Sequence, residues 1–328
     1  MTEGRQKGQE WKKDSQEAGV DQEFSYQRVK DGICILRCYG KNGRITIPKQ
    51  LEGMPVTELS DYAFAEDMEQ EPEYHGELTC IRGPLLEELY LPGTIQRLGR
   101  YVFYNCIRFY KLSFYSNIAF MGAGGFTGCE QLSQLVMHQA KGRSCLREIL
   151  QDLKQAVTVE CYPADREAPL WRLVFPEFFE EAVENTPARI ISTQTHGMGI
   201  QYRNTFRDTQ IIFQEYDKLF EMGKYNIDFI NIPNMAVSRL MFPFCLEDSA
   251  REEYAGWLRQ YWRESSACLL EQESSEALRW MAEEFADTRE ELEGIIQTAN
   301  DRKDTQMISC LMNILHRRFP KKIRRFSL

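Results

Sequence analysis

The chain lacks long apolar runs. Nothing in its 328 residues approaches the roughly 20 consecutive apolar residues of a membrane-spanning helix. The N-terminal stretch MTEGRQKGQEWKKDSQEAGVDQE has none of the about 7–15 apolar residues that form the heart of a secretory signal. The sequence as written therefore predicts a cytoplasmic protein with no membrane span and with reduced cysteines. A net positive charge is also lacking. The net charge is −9, spread along the chain, which speaks for solubility and against a nucleic-acid binder with its basic face. The 10 cysteines contain no C-x-x-C pair, and Cys34 and Cys38 have no second pair to complete a zinc site. The four histidines, His75, His138, His196 and His316, have no partners at metal or triad spacing. No Walker loop, dinucleotide fingerprint or G-x-S-x-G elbow occurs. Neither a cofactor, a metal nor a catalytic residue is expected from these patterns.

What the chain does have is apolar and aromatic residues, 43% and 12% of the total, and some of them recur at a fixed interval. Offsetting the sequence by 23 residues brings Leu86 onto Phe109 and Leu132, Leu89 onto Leu112 and Leu135, and Leu91 onto Phe114 and Met137. Ile95 then meets Ile118, Leu98 meets Met121, Gly99 meets Gly122, Phe103 meets Phe126 and Cys106 meets Cys129. Such a period means a coil in which each turn adds one short strand, its alternate residues pointing inward. Phe103 should stack on Phe126 and Cys106 on Cys129, the cysteines acting as small apolar residues at a tight bend. A degenerate earlier turn holds Ile45, Ile47, Leu51, Val56, Leu59 and Phe64 in the same roles. About 16 extra residues follow it, so an acidic insert near 65–84 is expected as a surface loop.

The segments IPKQLEGMPVTELSDYAF, LEELYLPGTIQRLGRYVFYNC and GGFTGCEQLSQLVM resemble the BspA type of leucine-rich repeat. The resemblance covers Phe24 to Pro163. It implies a short solenoid with a parallel strand ladder, and FSYQRVKDGICILRCYGKNG is similar to the β-hairpin that caps such coils, with Asp31-Gly32 as its turn. Asp67 stands where the family's cysteine stands, and Gly125 replaces its usual alanine. Leu146, Ile149, Leu150 and Leu153 have helical spacing, and a last strand at about 156–161 closes the coil.

After Trp171 the repeat is gone. A short apolar segment, a helix after Pro176 and a polar stretch are expected over a joining segment, 164–210, in which Glu184–Gly199 shows no recognisable chemistry. A helical domain, 211–319, follows, with Ser274, Thr288 and Asp304 as helix starts. Its last two helices faintly resemble an ankyrin unit. A polar, disordered N-terminus (1–23) and a basic tail (320–328) complete the chain. The basic cluster 317–325 could contact an acidic surface.

The fold class expected is thus mixed α and β: a solenoid followed by an α-helical domain. The function expected is non-enzymatic recognition of a protein partner. Strand alternation turns Tyr90, Ser113, Tyr115, Val136 and His138 outward on a face nearly free of charge, while the return path shows no ordered apolar cluster. Two other readings stand beside it. One is an enzyme with a site at the joint near Thr193–Tyr202, lined by Glu177, Arg189, His196 and Arg203. The other is an exported surface adhesin, which requires an upstream signal peptide.

Overall fold

The computed structural model describes residues 21–66, 77–165, 167–185 and 190–320, with backbone alone for 183–185 and 190–191. Two compact units divide the chain between Ile212 and Phe213, and Trp171–Val174 belong to the second unit.

The first unit is a solenoid. Its strands Arg44–Thr46, Glu88–Tyr90, Lys111–Tyr115, Gln134–His138 and Val157–Tyr162 lie side by side in that order, all parallel. Ile45, Leu89, Leu112, Leu135 and Val159 share one row of that ladder. A second sheet runs along the return path: Met54–Leu59, Arg97–Leu98 and Phe120–Met121 pair in parallel, and Met54–Leu59 also pairs with the hairpin Gln22–Val29/Gly32–Gly40. The hairpin turns at Lys30–Asp31, with Val29 opposite Gly32.

The repeat positions fill the space between the sheets. Every apolar residue that recurs at the 23-residue interval is buried, apart from the half-buried Met121. Phe64, Phe103 and Phe126 form a ladder, with ring centroids 5.7 and 5.0 Å apart. Adjacent turns approach so closely that a Cβ on Gly99 would lie 2.3 Å from Asp61 N, and one on Gly122 2.5 Å from Arg100 N. These glycines are needed for space, since any side chain there would push two turns apart.

Two expectations need correcting in this unit. Part of the acidic insert belongs to the core: Thr79–Cys80 pairs antiparallel with Gly32–Gly40, and Cys80 and Ile81 are buried. Asp67 and His75 lie outside the described residues. The chain after Pro176 is not helical. Phe179–Asn185 and Ile190–His196 form an antiparallel hairpin, followed by a short helix, Gly199–Arg203.

The second unit is helical around its own core. Helices Ile232–Met241, Asp248–Gln260, Trp262–Glu271, Arg289–Asp301 and Thr305–Arg318 enclose Phe220, Tyr254, Leu258, Leu269, Leu292 and Leu311. Thr288 and Glu291 make a reciprocal capping box, and Asp304 accepts from Met307 N at 2.9 Å. Each satisfies amides that the helix start leaves open. The unit's first helix begins at Phe213, and Ile212 lies between it and the strand Gln210–Ile211, so Ile212 does not share a helical face with Tyr216 and Phe220. In the core Asp217 takes a two-pronged contact from Arg239, at 2.7 and 2.8 Å, and a hydrogen bond from Tyr254 at 3.0 Å.

Candidate partner-binding face

Parallel strands place residues in rows, and on the outward face of the ladder there are three. Arg44, Glu88, Lys111, Gln134 and Thr158 form the first; Thr46, Tyr90, Ser113, Val136 and Glu160 the second. Tyr115, His138 and Tyr162 form the third. All five residues singled out from the sequence therefore lie on one face, and Tyr90, Ser113, Tyr115 and His138 line the same hollow. Val136 stands in register beside Ser113.

That hollow holds about 220 Å³. Its other lining residues are Thr46, Ile47, Pro48, Lys49, Leu91 and Pro92. The Tyr115 ring rests over Gly93, 3.3 Å from where a Cβ would stand, and Asn117 Nδ2 donates to Gly93 O at 2.7 Å. His138 stacks between Tyr115 and Tyr162, at 5.0 and 5.7 Å. Its Nε2 is 3.2 Å from Ser113 Oγ, and burial lowers its pKa. A serine beside an imidazole is the first half of a nucleophile–base pair. Among the described residues no carboxylate is bonded to His138 to orient it as a triad would.

The expectation of a nearly uncharged face is overturned at Glu88. Its carboxylate is buried and accepts from Tyr90 OH at 2.5 Å and from Tyr110 OH, with Arg44 Nε at 3.1 Å. Burial pushes its pKa up, but the two phenols and the guanidinium outweigh that and hold it below its usual value. The bond to Glu88 in turn pushes the Tyr90 phenol up to about 12. The sequence does carry a signal for this cluster, because Arg44, Glu88 and Lys111 alternate in sign along one row. The return path is also richer than expected: Tyr62 and Tyr101, both exposed, stack at 5.5 Å.

Of the groups named for an enzyme at the joint, Arg189 lies outside the described residues, and Glu177 acts electrostatically on Arg203. His196 stacks on Phe179 at 4.7 Å, with Glu181 Oε2 at 3.5 Å. Arg203 is fully buried and donates to five backbone carbonyls: Leu150 at 2.9 Å, Leu153 at 3.0 Å, Gln155 at 2.7 Å, Gly199 at 3.0 Å, and Pro176. Its guanidinium also lies 4.9 Å from the Phe178 ring. Burial lowers its pKa to about 10, still charged at neutral pH, with Glu177 opposing the shift. It pins the end of the solenoid. The His-Gly-x-Gly stretch is a turn, with Gly197 at φ +88° and Gly199 packed where a Cβ would meet Pro176 O at 2.2 Å.

Residues 79–150 match the family model of the BspA type leucine rich repeat region, in 6 copies. Among curated proteins none matches this chain. Two solved structures are similar to part of it. The Treponema pallidum leucine rich repeat protein is 17% identical over 43% of this chain and 80% of its own, with a TM-score of 0.23. A leucine rich cell surface protein from Faecalibacterium prausnitzii is 20% identical over 40% of this chain and 38% of its own, with a TM-score of 0.25. The repeat region contributes the hollow's walls from Tyr90 to His138, while Thr46–Lys49 lie ahead of it. Among the described residues no helix is long and apolar enough to cross a membrane, and no group of three or more His, Cys, Asp or Glu side chains could hold a metal ion.

Proposed function

We propose that the protein is a non-enzymatic interaction module that recognises a protein partner through the outward face of its strand ladder, at Tyr90, Ser113, Tyr115, Val136 and His138. One observation carries this reading: residues from four adjacent turns converge on a single preformed hollow, while the inward positions are consumed by the core. Tyrosine and histidine bring contact area with a polar tip, which suits an interface. The same reading takes the protein as cytoplasmic, with all ten cysteines free.

The test is affinity purification from the native host with quantitative mass spectrometry, comparing wild type with a Tyr115→Glu/His138→Glu double variant. Tyr90 is left intact because its hydroxyl is tied to Glu88. The expected result is a protein enriched with wild type and lost with the variant, at an unchanged melting temperature. A partner retained by the folded variant would remove the face from consideration.

A further inference from the structure

The lining of the hollow specifies what it can receive. At about 220 Å³ it falls below the roughly 300–1,000 Å³ of sites for drug-sized ligands, so it suits one side chain. Its lining includes Pro48, Pro92 and the rings of Tyr115 and His138. Those rings are already stacked on each other, and Tyr115 is seated on Gly93, so the hollow pays little to organise itself on binding. The faces of the two rings are taken up by Gly93, by each other and by Tyr162, so the pair offers ring edges to a guest, and an aromatic face packs on ring edges better than an aliphatic chain does.

Charge adds direction. Lys49 is the one charged residue in the lining. It is exposed and makes no ion pair among the described residues. Glu88, on the same strand as the lining residue Tyr90, is already committed to Tyr90, Tyr110 and Arg44. The hollow therefore presents an uncompensated cation beside an aromatic-walled space, which favours an anion and disfavours a lysine or arginine.

We infer that the hollow receives one aromatic side chain of a partner segment, with a neighbouring carboxylate of that segment held by Lys49. This rests on the recognition face proposed above and names its ligand.

Titration of the full chain by saturation-transfer NMR, at low ionic strength, tests it with three probes: N-acetyl-phenylalanine, its uncharged amide, and N-acetyl-aspartate. The acid should bind saturably and about threefold to fivefold more tightly than the amide, the size expected of an exposed ion pair. N-acetyl-aspartate should not saturate. Lys49→Glu, at an exposed position, should abolish the preference for the acid and leave the amide's affinity unchanged. Tyr115→Ala should weaken both ring compounds. Equal affinity for acid and amide, a preference that survives Lys49→Glu, binding indifferent to Tyr115→Ala, or no saturable binding by either ring compound would each overturn the inference. Failure of the probes with loss of the partner in Tyr115→Glu/His138→Glu would sink the hollow and leave the face. Bound probes with the partner retained would do the reverse.

Discussion

At the residue scale the cysteines show how a repeat chooses its side chains. Cys106 Sγ donates to Phe64 O at 3.3 Å, and Cys129 Sγ to Phe103 O at 3.1 Å. Each thiol thus ties its turn to the carbonyl of the turn before, beyond filling space at the bend. A thiol-to-carbonyl bond is weak on its own, but here it repeats and costs no volume. In the last turn Gln155 takes over, donating to Cys129 O at 2.7 Å and Leu132 O at 2.9 Å. Burial pushes the Cys129, Cys145 and Cys161 thiols up to about 12 and Cys106 well above its ordinary value. Thiolate is the reactive form, so these groups should be inert in the native protein. Iodoacetamide at pH 8, read by peptide mass spectrometry, should label the exposed Cys245 first and the four ladder and end-turn thiols only after denaturant is added. Cys106 modified as fast as Cys245 would contradict the packing. The 23-residue spacing made the position of Cys106 and Cys129 readable. Their hydrogen bonds were not readable, because the acceptor belongs to a residue some 26 or 42 positions away. Glu88 was missed for the same reason: its partners Tyr110 and Arg44 meet it only once strands are laid side by side.

At the element scale, strands that bury one face announce themselves and strands that do not stay hidden. Leu112 and Phe114, or Leu135 and Met137, alternate with outward residues and face a filled core, so period-2 patterning survives in the sequence. Residues 179–182, all exposed, have no such pressure. Phe179 is 60% exposed, and Phe179, Ala182 and Val183 stand at helical intervals in the sequence. The hairpin is instead supported by a cross-strand stack of Phe179 on His196 and by the anchor that follows it. That anchor is Arg203, whose planar guanidinium serves carbonyls from Leu150, Leu153, Gln155, Pro176 and Gly199 at once. Replacing it with leucine leaves those buried carbonyls unpaired, each a desolvation cost of about 1–3 kcal/mol before relaxation. Arg203→Leu should therefore destabilise the first unit by at least about 3 kcal/mol, measured by urea denaturation. Arg203→Lys should rescue it poorly, since one ammonium cannot reproduce the fork. Arg207→Leu, at an exposed neighbouring position, should change little. An Arg203→Leu variant as stable as wild type would show that the carbonyls find other partners.

At the scale of the whole molecule, composition and electrostatics meet. With 49 acidic and 40 basic residues and a pI near 5.2, the chain passes through zero net charge as it is acidified, and individual carboxylates then decide what happens to stability. Among the described residues, Asp61 and Glu88 have folded pKa values below their ordinary ones. Asp61 is held down first by the Arg100 backbone N–H and then by its guanidinium, against burial; Glu88 is held down by Tyr110, Tyr90 and Arg44, against burial. A depressed carboxylate contributes stability above its unfolded pKa and loses it as pH falls through its folded one. Asp152 has the opposite sign: burial raises it, so the native state gains relative stability when it is protonated. Glu88 is the cleaner probe because its side chain is only 8% exposed, whereas that of Asp61 is 38% exposed and screened by solvent. Glu88→Gln removes the titrating group and keeps an acceptor for the phenols. The urea-unfolding free energies of wild type and Glu88→Gln should differ most at pH 7. The gap should close progressively below the ordinary glutamate value of 4.5, as the wild-type carboxylate takes up its proton. A gap that stays constant from pH 7 to pH 3 would mean that Glu88 matters for its shape and not for its charge, and the alternating row of Arg44, Glu88 and Lys111 would then be a solvated stripe with no part in holding the face together.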